Sequence, residues 1–129
     1  MGGAASRIER GAGAGSLMNR IIVFRSTTQW RAHFEASKLS NKLMVIYFSA
    51  SWCGPCRYME PIVNELAAKY SEVEFIKIDV DELPAVSWEF SIQAMPTFVL
   101  LRGGKEVDKV VGAKKDELQW KIEKHTVVY

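Results

Sequence analysis

The sequence predicts an α/β fold, a central mixed sheet of about five strands flanked by about four helices. Three features carry the expectation. From residue 20 onward, strand-like and helix-like patterns alternate. One run, Leu43-Met44-Val45-Ile46-Tyr47-Phe48, is apolar throughout, as suits a central strand covered on both faces. Near the end, Gly103-Gly104 separates two strand-like runs, the signature of a tight antiparallel hairpin.

In chain order, Ile21-Ile22-Val23-Phe24 is a short β run. Ser26, with Gln29 three residues on, forms a capping box that opens a helix carrying Trp30 and Phe34 on one face. The apolar run at 43–48 is the second strand. Met59, Ile62, Val63, Leu66, Ala67 and Tyr70 then recur at helical spacing, with Pro61 inside that helix, where a kink is expected. Residues 73–80 form the next strand and 81–90 a short helix or turn. Residues 97–101 and 106–111 flank the glycine pair, and Leu118 and Ile122 mark a closing helix. The order β-α-β-α-β-(α)-β-β-α makes the sheet parallel through its crossovers and antiparallel at the last hairpin.

At 129 residues, with 48% hydrophobic and 11% aromatic residues, the chain is the size of one domain with an ample core. No apolar run approaches the ~20 residues that a membrane-crossing helix needs. Residues 1–19 stand apart. Five of the nine glycines fall there and no aromatic residue does. Such a composition buries no core and reads as a flexible Gly/Ala-rich tail ahead of a domain over 20–129. Charge divides the same way: the net +2 sits in residues 1–20, while 21–129 carry fourteen basic and fourteen acidic side chains. Without a basic excess in the folded part, nucleic-acid binding has little support.

The only cysteines are Cys53 and Cys56, separated by Gly54-Pro55. A secreted disulfide scaffold needs more, at wider spacings. A structural zinc site needs four ligands, and His33 and His125 fall on separate expected helices, so no metal is expected. The pair lies between a buried strand and a helix, which puts Cys53 at a helix N-terminus. Unpaired N–H groups and the helix dipole there favour an anion, so the thiolate is stabilised for attack on a disulfide. Cys56, one turn further in, is expected to be more buried and less acidic, which suits a resolving thiol.

Phe48-Ser49-Ala50-Ser51-Trp52-Cys53-Gly54-Pro55-Cys56-Arg57 resembles the thioredoxin family, most closely the h-type thioredoxins of plants. Pro61, Lys77, Asp79-Val80-Asp81-Glu82, Ala94-Met95-Pro96-Thr97 and Val111-Gly112-Ala113 extend the resemblance over residues 20–125. It implies the thioredoxin fold and a monomeric protein-disulfide reductase without a bound cofactor. Cys53 attacks, Cys56 resolves, and an NADPH-dependent thioredoxin reductase restores the dithiol. It further implies that Pro96 is cis and faces the cysteines, with Met95 offering its backbone to an extended substrate segment. Trp52, Gly112 and Ala113 complete a shallow apolar docking surface for protein disulfides. Gly54-Pro55 implies a reductant, because the oxidising members usually place a His beside the second Cys. Some h-type members carry an extra N-terminal cysteine associated with the glutathione system, and none occurs here.

The chain departs from the family at Tyr47. Most thioredoxins carry a buried Asp there, six residues before the first Cys and near the strand lysine that is Lys77 here; it is thought to take the proton of the resolving thiol. A tyrosine, with a reference pKa near 10, is a poor base at neutral pH. Either Tyr47 fills core volume while another base serves, or resolution is slow. Lys77 is then expected to be buried neutral or to use the Tyr47 hydroxyl as its acceptor. The alternative function is a thioredoxin-fold binding or chaperone-like module with weakened catalysis, against which the intact cysteine pair argues.

Met1-Gly2-Gly3-Ala4-Ala5-Ser6 fits the N-myristoylation pattern at Gly2. One acyl chain with Arg7, Arg10 and Arg20 beside it supports reversible attachment to a cytosolic membrane face and no more. The arginines, serines and single acid also fit a mitochondrial-type presequence, though the glycines make a poor amphipathic helix. Trp88 and Trp120 are expected to be packing residues, and His33 and His125 partly exposed ones. Residues 114–124 read as a solvated helix face.

Overall fold

The structure, a computed structural model, describes residues 16–18 and 20–126. Six strands and four helices follow one another as β1 (Ser16–Met18), β2 (Ile21–Phe24), α1 (Thr27–Ser37), β3 (Leu43–Ser49), α2 (Gly54–Lys69), β4 (Glu74–Asp79), α3 (Pro84–Glu89), β5 (Thr97–Arg102), β6 (Lys105–Val111) and α4 (Lys115–Thr126). The sheet order is β1-β2-β4-β3-β5-β6. β2, β4 and β3 run parallel, while β5 and β6 are antiparallel. The five expected strands and four expected helices are all present. The sixth strand is β1, which pairs antiparallel with β2 and falls within the residues read from composition as tail. Three residues are too few to show a period, so a glycine-rich neighbourhood hid them. Gly2 and the rest of 1–15 lie outside the described residues.

The alternation of the strands sorts the core into two layers. Leu43, Val45 and Tyr47 of β3 and Phe98 and Leu100 of β5 point to the face covered by α2 and α4, where Met59, Val63, Leu66, Leu118 and Ile122 meet them. Met44, Ile46 and Phe48 point to the opposite face, against Trp30 of α1 and Val86 of α3. Every residue of β3 is buried, as its unbroken apolar run requires.

Local chemistry fixes the ends of these elements. Ser26 caps α1, its Oγ accepting the Gln29 N–H at 3.2 Å. α2 is one continuous element through Pro61. The β5–β6 turn needs positive φ at both central positions, and Gly103 (61°) and Gly104 (82°) supply it without steric cost.

Trp88 and Trp120 differ from the expectation. They are 85% and 58% exposed, and Trp120 lies under the Lys124 ammonium, 5.1 Å from the ring centroid, instead of in the core. α3 is only six residues long, too short for its apolar face to be read from spacing. The two histidines are half-buried against carboxylates. His33 Nε2 is 3.0 Å from Glu74, and His125 Nε2 is 2.9 Å from Asp108.

Asp108 ties β6 to α4 through His125 and through Lys121 at 3.2 Å. Burial pushes its carboxyl up, but hydrogen bonds from His125, the Lys109 amide and Lys121 outweigh this and hold it at about 2, below the ordinary 3.8. A carboxylate so depressed favours the folded state above its unfolded pKa, and that contribution disappears as pH falls through the folded value. Wild type is therefore expected to exceed Asp108→Asn in stability at neutral pH, with the gap closing between about pH 4 and pH 2. Urea midpoints across that range check it; a gap independent of pH would contradict it.

Candidate active site

The cysteine pair sits where β3 hands over to α2. Gly54 and Pro55 open the helix, a position where a proline costs nothing because the first N–H groups have no intrahelical acceptor. Cys53 is the N-cap residue, with φ −89° and ψ 112°, and its Sγ accepts the Cys56 N–H at 3.1 Å. The sulfur thus occupies the place of a capping oxygen, facing the positive end of a 16-residue helix.

Cys53 and Cys56 are joined as a disulfide with their Cα atoms 5.2 Å apart, within the ordinary range. Cys53 is 4% exposed and Cys56 2%, so the difference in burial expected between them is slight in the oxidised form. Trp52, Gly54 and Pro55 on either side of Cys53 are exposed. The Trp52 indole, 62% exposed, donates from Nε1 to Asp81 Oδ2 at 2.8 Å. Asp81 belongs to the Asp79–Glu82 run that carries the resemblance, but its place at the site is visible only in the fold, which brings the β4–α3 loop beside Trp52.

The strand-start segment opposite closes the site. The Met95–Pro96 peptide is cis, and Met95 packs with Ala50, Cys53 and Cys56. Gly112 (φ 103°) donates its N–H to the Pro96 carbonyl at 2.8 Å, which joins the end of β6 to that segment. A side chain at position 112 would be strained at this φ. Ala113 packs against the core on the α2/α4 face. The structure therefore places Met95 against the cysteines and Trp52 beside Cys53, and ties Gly112 to Pro96, while Ala113 packs with the α2/α4 core layer.

Tyr47 lies beneath, fully buried and stacked on Phe98 with ring centroids 5.1 Å apart. Its hydroxyl donates to the Cys56 carbonyl at 2.9 Å. Burial, then the nearby Glu60 carboxylate, raise its pKa well above the ordinary 10, so it keeps its proton. Lys77 is directly opposite Tyr47 across the β3–β4 pair. It is neither anionless nor bonded to the tyrosine hydroxyl, as the sequence suggested: its Nζ is 2.8 Å from Glu60 Oε2 and passes over the Tyr47 ring at 5.9 Å. Glu60 is the carboxylate partner that the apolar pattern does not reveal; only its place four residues after Cys56 in α2, on the same helix face, points to it. Among the described residues, no group of three or more His, Cys, Asp or Glu is placed to hold a metal.

Comparison with known proteins gives the same answer from another direction. The Thioredoxin family model matches residues 23–124. The chain is 50% identical to thioredoxin H2 of Arabidopsis thaliana over 130 residues, covering 96% of this chain and 98% of the relative. It is 55% identical to the H-type thioredoxin 1 of Nicotiana tabacum over 97 residues, 75% of this chain and 77% of that one. Among solved structures, the thioredoxin NaTrxh of Nicotiana alata superposes with a TM-score of 0.84 at 57% identity, covering 88% of this chain and 99% of that one. The chain belongs to the thioredoxin family, within its plant h-type group.

Proposed function

We propose that this protein-disulfide reductase uses Cys53 as its attacking sulfur and Cys56 as its resolving one, and is re-reduced by an NADPH-dependent thioredoxin reductase. The observation that carries the reading is Cys53 at the N-cap of α2, its sulfur receiving the Cys56 amide at 3.1 Å. The same amide and dipole favour a thiolate in the reduced protein. That thiolate attacks a substrate disulfide, forming a Cys53–substrate bond and expelling one substrate thiolate. The Cys56 sulfur then attacks Cys53, closing the Cys53–Cys56 disulfide and releasing the second substrate thiol. Two electrons and two protons pass to the substrate.

An extended substrate segment lies along the backbone of Met95 before Pro96, with Trp52, Gly112 and Ala113 as the surrounding surface. Support comes from the packing of Met95 on the cysteines and the 2.8 Å tie between Gly112 and Pro96. The protein acts as a monomer at the cytosolic side, with Gly2 acylated for reversible membrane contact. The Met1–Ser6 motif favours this over a mitochondrial presequence. Mass spectrometry of the native protein separates them: an acylated Gly2 supports the first, a truncated N-terminus the second.

Cys56→Ser tests the order of attack. Expected is a covalent adduct with a disulfide-containing protein such as insulin, seen on a non-reducing gel and released by dithiothreitol. Cys53→Ser should give none. Adducts formed by Cys53→Ser and not by Cys56→Ser would reverse the two roles.

A further inference from the structure

The face of the sheet behind the cysteines holds a carboxylate after all, supplied by a helix instead of a strand. Glu60 follows Cys56 by four residues in α2, one turn along the same face. It meets Lys77 from β4 at 2.8 Å, lies beside the Tyr47 hydroxyl from β3, and has Cys56 as its titratable neighbour on its own helix. Arg57 is turned away, its Nη1 donating to the Ser51 carbonyl at 2.8 Å. Tyr47 is a poor base because it keeps its proton, which its hydroxyl donates to the Cys56 carbonyl. Its ring also fills the space under α2 that a shorter side chain would leave. The Glu60 and Lys77 side chains are 29% and 23% exposed, so solvent reaches the pair.

We propose that Glu60 accepts the proton of the Cys56 thiol in the resolving step, with Lys77 and Tyr47 as positioning residues. The inference rests on the reading of Cys56 as the resolving sulfur. In the mixed disulfide, the Cys56 proton passes through solvent to the Glu60 carboxylate. The sulfur electron pair forms the Cys53–Cys56 bond, and the Cys53–substrate bond breaks onto the departing thiolate. Glu60 then returns the proton to solvent or to that thiolate. Lys77 holds the carboxylate toward the sheet, and the Tyr47 hydroxyl fixes the first turn of α2 through the Cys56 carbonyl. The carboxylate has moved from strand to helix while keeping its lysine.

The test is a single turnover of the reduced protein with excess 5,5′-dithiobis(2-nitrobenzoate), followed at the colour of the released thiolate by rapid mixing. Attack by Cys53 releases one equivalent and resolution by Cys56 a second. Glu60→Gln should leave the first phase unchanged and slow the second about a hundredfold at pH 6, the scale of general-base assistance. The deficit should close toward pH 9, where the thiol ionises without help. Returning a carboxylate in Glu60→Gln/Tyr47→Asp should restore the second phase at pH 6. Glu60→Asp, which keeps the charge one methylene short, should fall between and serves if Glu60→Gln folds poorly. A second phase in Glu60→Gln equal to wild type at pH 6, or slowed equally at every pH, would overturn the proposal. So would loss of the first phase instead. A wild type that releases a single equivalent would overturn the Cys56 assignment itself, and this inference with it.

Discussion

Cys53→Ser is expected to reduce insulin-disulfide reduction to the background given by dithiothreitol alone, and by NADPH with thioredoxin reductase alone. The helix N-terminus at Cys53 is worth up to ~2 kcal/mol to an anion, more than tenfold in the ionised fraction of a thiol. A serine hydroxyl in the same cap lies too far from ionisation for that help to matter, and its oxygen forms no disulfide with a substrate sulfur. Structure should survive, because serine is a good N-cap and keeps the hydrogen bond from the Cys56 amide. Loss of turnover, with a melting temperature equal to that of the reduced wild type, which likewise lacks the Cys53–Cys56 cross-link, is therefore the expected pair of results. Wild-type activity in the variant would mean that the fold serves as a docking module and that the sulfur is incidental.

Tyr47→Ala carries the largest expected cost in stability. The side chain is fully buried, stacked on Phe98 and bonded to the first turn of α2. Truncating a large buried aromatic typically costs about 3–5 kcal/mol, or roughly 15–25 °C in melting temperature for a domain of this size. Tyr47→Phe keeps the volume and the stack and loses one hydrogen bond, so about 1 kcal/mol is expected. Thermal melts of the three oxidised proteins give the ordering directly. Were Tyr47→Ala to melt within a few degrees of wild type, the tyrosine would not be the support under the active-site helix that its packing indicates.

The sequence carried the frame of this protein where local chemistry decides the outcome. The unbroken apolar run of β3 could only be a central strand, and the two glycines before β6 could only be a tight turn. The Trp52–Cys56 motif announced both the chemistry and the helix that starts on it. Features that depend on distant alignment were not visible. The Lys77–Glu60 pair exists because α2 crosses over β4 at one particular register, which no local window contains. Trp88 looked like core because tryptophan usually is, yet Val86 takes the buried position of this six-residue helix, and Trp88, two residues on, falls on the opposite side. Asp81 met Trp52 for the same reason: two loops converge at one end of the sheet, and convergence is a property of the whole topology.

One atom at that end has two employments. The sulfur of Cys53 closes the first turn of its own helix and is also the reagent. Even when bonded to the Cys56 sulfur it still receives the Cys56 amide at 3.1 Å, so a covalent partner and the helix cap are held at once. The reagent can therefore change its sulfur partner without uncapping the helix that activates it.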